Sequence, residues 1–303
     1  MGARGQRTAP VARIRSMAIR GATRGDLEAA AELLGAQNRA AVGVVGVGVE
    51  HLRSEWARPG FTLGVDNVVA EKNGRVVGYA AVSPTAELAL AADDDALADE
   101  LLAAIAARSR ARGDAVLVVT VLSRESPLGR LVERHPFELV HETLLMWRSL
   151  GAPVDDPVVP EGITIRTYGQ KDSQAVHQLL DEAYGAWDPL YVPARHADWV
   201  GWMTGDSEFD PEVWWLAERG STLVGCGLHW MSGWLKDLAV RDSERGRGLG
   251  AALVGTGLAE FARRGKRRVG LKVDADNPTG AVRLYERMGF VTERREAVWA
   301  WSL

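Results

Sequence analysis

Several features are scarce in this 303-residue sequence, and each absence narrows its possible functions. The single cysteine, Cys226, permits no intramolecular disulfide and favours a reducing, cytoplasmic setting. It lies in the apolar run 223–230, so we expect a buried thiol rather than a nucleophile. No apolar run reaches the roughly 20 residues of a membrane span, and residues 1–16 lack the apolar core of a secretory signal. These absences predict a cytoplasmic protein without membrane contact.

An excess of positive charge is also missing. The net charge of −4 provides no field that would attract nucleic acid, so we expect no nucleic-acid partner. Lysine is rare while arginine, alanine, glycine and valine abound, a bias typical of a high-GC bacterium. No metal site is predicted, because neither His177 with Asp181 nor His196 with Asp198 has the further ligands that zinc or iron requires.

The most informative segment is the glycine-rich run Arg245–Gly250, between the apolar run 234–240 and an amphipathic helix. Its glycines let the backbone approach an anion without Cβ clashes, and the first N–H groups of a helix are unpaired at the positive end of its dipole. Four-residue spacing predicts an inward stripe on that helix, formed by Leu249, Leu253, Gly257 and Phe261. Gly265 is the expected helix stop. The segment therefore predicts a pyrophosphate cradle on a rigid helix.

Two other interpretations of the glycines stay open, because short glycine-rich motifs are not specific. One is a solvated turn without a ligand. The other is a dinucleotide-binding turn, since Gly246, Gly248 and Ala251 fit G-x-G-x-x-A and Asp274 ends the next apolar run. Against the second, residues 241–245 separate the apolar run from the glycines, and too few elements follow for a second βαβ half.

Two segments of the C-terminal half, about thirty residues apart, resemble two motifs of one protein family and follow the same order as in that family. DLAVRDSERGRGLGAALV contains Arg245-x-x-Gly248-x-Gly250, and DADNPTGAVRLYERMGF runs from Asp274 to Phe290. The first resembles the coenzyme A loop, Q/R-x-x-G-x-G/A, of the GNAT superfamily of N-acetyltransferases. The second resembles that family's fifth strand, its Asn-capped helix and its closing Gly-Phe. The resemblance implies an α/β (α+β) fold with a mixed, mostly antiparallel central sheet flanked by helices.

The same resemblance implies an acetyl-CoA-dependent N-acetyltransferase and assigns roles to single residues. The pyrophosphate is held by the loop, which here comprises Arg245, Gly246, Arg247, Gly248, Leu249 and Gly250. Asn277 corresponds to the asparagine that contacts the cofactor arm, although capping a helix that begins at Pro278 is an equal alternative. Tyr285 corresponds to the tyrosine that protonates the departing thiolate, whereas the pattern alone favours a core tyrosine.

Thioester aminolysis also needs a base for the amine and an N–H donor for the oxyanion. The donor is expected on the strand that the family lays beside the thioester, among Leu238, Ala239 and Val240. We assign the base to Asp237, because an acid inside a core strand is out of place unless it faces a cleft. A surface ion pair with a neighbouring cation is the alternative for Asp237, and His229 and Glu218 are the reserve candidates.

An internal repeat predicts two such units in tandem. Segments 19–34, 70–78 and 130–137 align in order on 165–180, 217–225 and 283–290. We therefore expect a flexible tail over 1–16, a degenerate GNAT-like domain over 17–150, a linker over 151–161 and a catalytic domain over 162–303. The three prolines of the linker suit an extended connection.

The N-terminal copy lacks the residues that the chemistry requires. No glycine occurs in residues 83–102, and Asp93, Asp94 and Asp95 at the start of its helix would repel a pyrophosphate. Val132 stands where the C-terminal copy has Tyr285, and valine has no proton to give. We therefore expect a scaffold without catalysis in this half.

The acceptor is expected to be the primary amine of a small molecule. Tryptophans crowd the C-terminal half before the loop, at Trp187, Trp199, Trp202, Trp214, Trp215, Trp230 and Trp234. Some belong to the core, and others are candidates to wall a site for a cationic or sugar-like amine. The identity of the acceptor stays open among an amino-sugar thiol precursor, an aminoglycoside and a peptide amine. The oligomeric state stays open between a monomer and a homodimer. The competing function is a non-catalytic module that binds an acyl-CoA.

Overall fold

The computed structural model describes residues 17–42, 47–151, 154–188 and 191–303. The tail predicted over residues 1–16 lies outside these described ranges.

The described residues contain twelve strands: β1 (Ala18–Gly21), β2 (Asn67–Lys72), β3 (Arg75–Val82), β4 (Leu88–Ala92), β5 (Val116–Val121), β6 (Glu138–Ser149), β7 (Ile163–Thr167), β8 (Trp214–Arg219), β9 (Thr222–Trp230), β10 (Trp234–Val240), β11 (Arg268–Asp274) and β12 (Val291–Ser302). The α-helices are α1 (Leu27–Val42), α2 (Val49–Trp56), α3 (Asp95–Arg112), α4 (Pro127–Arg134), α5 (Ser173–Gly185), α6 (His196–Thr204), α7 (Leu249–Arg263) and α8 (Ala281–Arg287). Among these helices, not one combines the length and the apolarity needed to cross a membrane.

The N-terminal half contains a four-stranded antiparallel sheet in the order β1-β2-β3-β4. Alternation along β3 directs Tyr79 and Ala81 to one face, where they pack with α1 and α2. Ala80 and Val82 point to the opposite face and pack against α3. Both faces of this sheet are therefore covered by helices.

A second sheet joins the two halves, in the order β5-β12-β6-β11-β10-β9-β8-β7. Strand β6 of the N-terminal half lies between β11 and β12, and β12 lies between β5 and β6. All of its neighbouring strands are antiparallel except β10 and β11. The two halves therefore exchange their last strands and form one continuous sheet.

The two copies of the sequence repeat have the same ion pairs at their aligned positions. The triad of Arg20, Asp26 and Glu71 recurs at the aligned positions as Arg166, Asp172 and Glu218. In each copy the arginine ties the first strand of the unit to the turn before its first helix and to the adjacent strand. The predicted fold class, two tandem units with mixed, mostly antiparallel sheets flanked by helices, is confirmed.

Helix α7 has the inward stripe that its spacing predicts. Leu253 and Phe261 are fully buried, and a Cβ on Gly257 would come within 2.5 Å of the His229 ring. Gly265 ends the helix in the left-handed region with φ of 73°, and the N–H of Lys266 closes on the carbonyl of Phe261 at 2.9 Å. Burial of each large apolar side chain stabilises this packing by about 1.5–3 kcal/mol. The glycine-rich loop is thus attached to a fixed element.

The dinucleotide-binding alternative is wrong. A short 3-10 helix, Asp242–Glu244, separates β10 from the glycines, and β10 runs antiparallel to β9. In a dinucleotide fold the glycine turn follows its strand at once, inside a parallel sheet.

Candidate functional site

A cleft opens where two parallel strands part. Strands β10 and β11 pair only through Trp234 with Gly270 and Leu235 with Leu271. A bulge in β10 follows at once, because Leu235 and Asp237 face consecutive residues of β9. Beyond it the strands border a cleft of about 340 Å³, which is also lined by the end of α5, the glycine-rich loop and α8.

The edge of β10 offers backbone donors to this cleft. Leu238, Ala239 and Val240 all line it. The N–H of Arg241 donates to the carbonyl of Val224 on β9 at 2.9 Å. Because successive amides of a strand point in opposite directions, the N–H groups of Leu238 and Val240 point away from β9, and that of Ala239 points towards it. The geometry thus singles out two of the three predicted donors.

The conformation of the loop depends on its glycines. Gly246 and Gly248 adopt left-handed φ angles of 73° and 86°, which residues with a Cβ rarely adopt. Gly250 lies against α8, where an added Cβ would stand 3.1 Å from Leu284. Arg245 fixes the loop to the end of β10 by donating from Nε to the carbonyl of Val240 at 3.1 Å. The side chain of Arg247 is 63% exposed.

The start of α7 presents unpaired amides to the cleft. The first helical bond runs from the N–H of Ala252 to the carbonyl of Gly248 at 3.0 Å. The amides before it have no partner within the helix, and they belong to Leu249, Gly250 and Ala251. Together with the helix dipole they form a site that fits a phosphate group.

Asp237 is a buried carboxylate with a tyrosine donor. Its side chain is only 10% exposed, and Oδ1 accepts a hydrogen bond of 2.9 Å from the hydroxyl of Tyr184 at the end of α5. Nζ of Lys236 lies 3.5 Å from Oδ2, whereas Arg241 pairs with Glu182. The carboxylate therefore lies in the interior beside the cleft and is not among the residues that line it. It also has the ion pair with Lys236 that the alternative interpretation predicted.

Two tyrosines stand close to this carboxylate. Tyr285 on α8 lines the cleft and is 6% exposed. Burial, with the charge of Asp237 adding to it, raises the pKa of Tyr285. Burial and the same charge raise the pKa of Tyr184 well above its ordinary value. Both hydroxyls therefore keep their protons at neutral pH.

Two reserve residues lie away from the cleft. His229 is buried under α7, and burial lowers its pKa to about 4. The carboxylate of Glu218 forms an ion pair with Arg166.

Cys226 is buried as predicted, and burial raises the pKa of its thiol. Within the described part of the chain, no three His, Cys, Asp or Glu side chains are grouped to hold a metal ion.

Asn277 lines the cleft but does not cap a helix. Its Oδ1 accepts from the N–H of Thr279 at 3.0 Å, which closes a turn. Helix α8 begins at Ala281, with Gly280 as its N-cap. The prediction of a helix starting at Pro278 is wrong, because this side-chain turn extends the loop.

Of the seven tryptophans that were candidates to wall the acceptor site, only Trp187 lines the cleft, and one important aromatic residue was missed. Trp199 and Trp214 are buried in the core, whereas Trp187 lines the cleft beside Tyr184. Tyr184 carries no sequence motif. The signal available for it is its four-residue spacing from Leu180 and Val176, which are both buried.

The N-terminal copy differs at the corresponding positions. A single bridge, from Glu87 to Val118, joins the region of β4 to β5. Asp94 caps α3 by accepting from the N–H of Leu97 at 2.8 Å. Val132 is buried where the other copy has Tyr285. A carboxylate thus occupies the helix start whose amides are unpaired in the C-terminal copy.

Comparisons with known proteins agree with this geometry. The profile of the Acetyltransferase (GNAT) family matches residues 173–290. A mycothiol acetyltransferase of Streptomyces bingchenggensis is 35% identical over 246 residues, which cover 73% of this chain and 76% of that protein. A mycothiol acetyltransferase of Streptomyces griseus is 32% identical over 257 residues, covering 78% and 80%. Both relatives are bacterial, in keeping with the compositional prediction.

Solved structures share the architecture over nearly the whole chain. A GCN5-related N-acetyltransferase from Sphaerobacter thermophilus superposes with a TM-score of 0.75 at 27% identity, covering 94% of this chain and 95% of that one. A tandem GNAT protein from the clavulanic acid biosynthesis pathway superposes with a TM-score of 0.62 at 15% identity, covering 94% and 98%. The second likeness concerns the fold alone.

Proposed function

The chain belongs to the GNAT acetyltransferase family, and we propose that it transfers the acetyl group of acetyl-CoA to the primary amine of a small molecule. The chemistry is assigned to the C-terminal copy, and the N-terminal copy is assigned a scaffolding role. The observation that carries this proposal is the meeting of the loop amides, the edge of β10 and Tyr285 in one cleft, with the buried carboxylate of Asp237 beside it.

The residues of the cleft fit a coenzyme A arm. We assign the pyrophosphate to the loop Arg245–Gly250, because its amides are free and its two left-handed glycines leave open space above them. Asn277 is assigned a contact with the arm through its side-chain amide. When bound, the coenzyme would supply an acetyl thioester.

Four groups of this chain are assigned the three chemical steps. Asp237 takes a proton from the acceptor ammonium, because a buried carboxylate beside the cleft is a suitable base. The N–H groups of Leu238 and Val240 polarise the carbonyl that the amine attacks. The hydroxyl of Tyr285 gives its proton to the leaving sulfur, and its raised pKa keeps that proton available. Direct attack requires no covalent intermediate on the protein.

A thiol-release assay with acetyl-CoA and a panel of amines tests the proposal. We expect thiol release that depends on the amine and an N-acetylated product that mass spectrometry detects. Asp237→Asn should weaken the activity most at low pH, where the acceptor amine is protonated and needs a base. A thiol precursor of the mycothiol type is the first acceptor to test, because the curated relatives are named mycothiol acetyltransferases.

The same assay addresses the competing function, a module that binds an acyl-CoA without turning it over. That function requires no proton donor at position 285, whereas a buried tyrosine with a retained proton faces the cleft. Stoichiometric binding of acetyl-CoA without turnover on any amine would favour the binding module and contradict our proposal.

A further inference from the structure

Two arginines on α8 have no carboxylate partner. Arg283 and Arg287 are exposed and stand four residues apart, and within the described ranges neither forms an ion pair. Arg287 lines the cleft. Like charges at this helical spacing repel each other, so their placement is unfavourable unless an anion joins them.

The N-terminal copy contains an anion at the matching place. Arg130 and Arg134 align with the two arginines of α8. Nη2 of Arg130 lies 2.9 Å from Oδ1 of Asp95, and Nη1 of Arg134 lies 3.2 Å from Oδ2 of the same residue. Arg134 also pairs with Asp99 at 2.8 Å. Hydrogen bonds from Arg130 and Arg134 lower the pKa of Asp95 and of Asp99 respectively.

The C-terminal copy has lost these carboxylates. Helices α3 and α7 both end at a left-handed glycine, Gly113 and Gly265. Counting back from these glycines matches Asp95 with Arg247 and Asp99 with Ala251. The two arginine positions thus pair with carboxylates in the N-terminal copy, whereas Arg247 and Ala251 stand at the matching positions of the C-terminal copy.

We infer that Arg283 and Arg287 bind the ribose 3′-phosphate of the coenzyme A moiety. The inference rests on the proposed function. Helix α8 meets the first turn of α7 where Leu284 contacts Gly250, and Arg287 lines the same cleft. Arg283 stands one helical turn before Arg287. With the pyrophosphate assigned to backbone amides, the 3′-phosphate is the remaining anion of the coenzyme. Guanidinium groups recognise phosphate oxygens in a paired geometry.

Calorimetry with coenzyme A and 3′-dephospho-coenzyme A tests this assignment. The double variant Arg283→Ala, Arg287→Ala should bind coenzyme A about tenfold or more weakly, since hydrogen bonds between charged groups are lost. Its affinity for 3′-dephospho-coenzyme A should stay that of the wild type. The matched control Arg134→Ala, which changes the equivalent arginine of the N-terminal copy, should alter neither affinity.

The other outcomes overturn the inference in distinguishable ways. Equal losses of affinity for both ligands would indicate that the arginines bind the pyrophosphate instead of the 3′-phosphate. An unchanged affinity for coenzyme A would show that the arginines bind neither phosphate group. A wild-type protein that binds both ligands equally would refute the 3′-phosphate site and leave the proposed function intact. A wild-type protein that binds neither ligand would overturn both.

Discussion

The hydroxyl of Tyr184 donates a hydrogen bond of 2.9 Å to Oδ1 of Asp237. This contact joins the last turn of α5 to the bulge of β10, at the edge of the cleft. The hydrogen bond fixes the position and orientation of the carboxylate that is proposed to accept a proton. We therefore regard Tyr184 as a positioning residue for the proposed base.

Tyr184→Phe should lower turnover without weakening coenzyme binding. Without the hydroxyl, the Asp237 carboxylate loses a hydrogen bond worth about 1.5–3 kcal/mol and is no longer held towards α5. We expect kcat to fall about tenfold or more, while the dissociation constant of coenzyme A from calorimetry stays close to that of the wild type. Tyr191→Phe, which removes a hydroxyl that donates to Asp181, is the control and should keep the wild-type kcat. Equal losses of kcat in the two variants would mean a merely structural role for Tyr184.

Tyr285→Phe should separate chemistry from binding. General acid catalysis contributes about a hundredfold to ten-thousandfold, so kcat should fall in that range. The dissociation constant of coenzyme A should change little, because the lost interaction belongs to the transition state. Since the pKa of Tyr285 is raised above its ordinary value of 10.0, the hydroxyl stays protonated at that pH. Ionisation of Tyr285 should therefore cause no decline of kcat below pH 10.0. Full activity of the variant on a validated amine would mean that water protonates the thiolate.

Gly248→Glu should abolish coenzyme binding. The change forces a side chain into the left-handed region and places a negative charge beside the loop amides. Gly265→Glu is a matched control, because that glycine is also left-handed, has open space around it and stands at the opposite end of α7. Calorimetry should show lost coenzyme binding only for Gly248→Glu. The thermal unfolding midpoint should fall by a similar amount in both variants, because both changes strain the backbone in the same way. Retained affinity in Gly248→Glu would refute the cradle.

The glycine loop and α7 could be predicted from sequence because their determinants are local. The stripe from Leu249 to Phe261 follows from helical spacing, and the stop at Gly265 follows from the backbone freedom of glycine. The repeat predicted the tandem fold because duplicated residues keep the same ion pairs, as Arg20 and Arg166 show. These features need no knowledge of distant contacts.

Other features depend on contacts that no local pattern encodes. The exchange of β6 and β12 is set by pairing across more than a hundred residues, and neither strand has a motif for its partner. The role of Tyr184 depends on a hydrogen bond to a strand 53 residues away. Asn277 resembles a helix cap in sequence, but its bond to Thr279 competes with the helix and delays its start.

Stability should decline in mild acid because of His229. Its pKa in the folded protein is lowered to about 4 from an ordinary 6.5, so the unfolded chain binds more protons between these values. The free energy of unfolding should therefore fall by about 3 kcal/mol as the pH drops from 6.5 to 4, and level off below. Urea titrations at several pH values should show a smaller slope in His229→Leu. His51→Gln, at an exposed site on α2, should keep the wild-type slope; equal slopes in all three proteins would contradict the argument.

The strand exchange predicts that the C-terminal half cannot fold without β6. In the intact chain β6 pairs with β11 from Arg268 to Asp274, and Leu144 and Met146 are buried in the core of the C-terminal half. A fragment of residues 162–303 would leave β11 and β12 with exposed edges and lose these two side chains, each worth about 1.5–3 kcal/mol. A fragment of residues 138–303 differs mainly by restoring β6. We expect the shorter fragment to aggregate and the longer one to be markedly more soluble, measured by sedimentation after expression at matched levels. Addition of residues 17–161 in trans should rescue the shorter fragment. A folded, monomeric 162–303 with cooperative unfolding would show that β6 is dispensable.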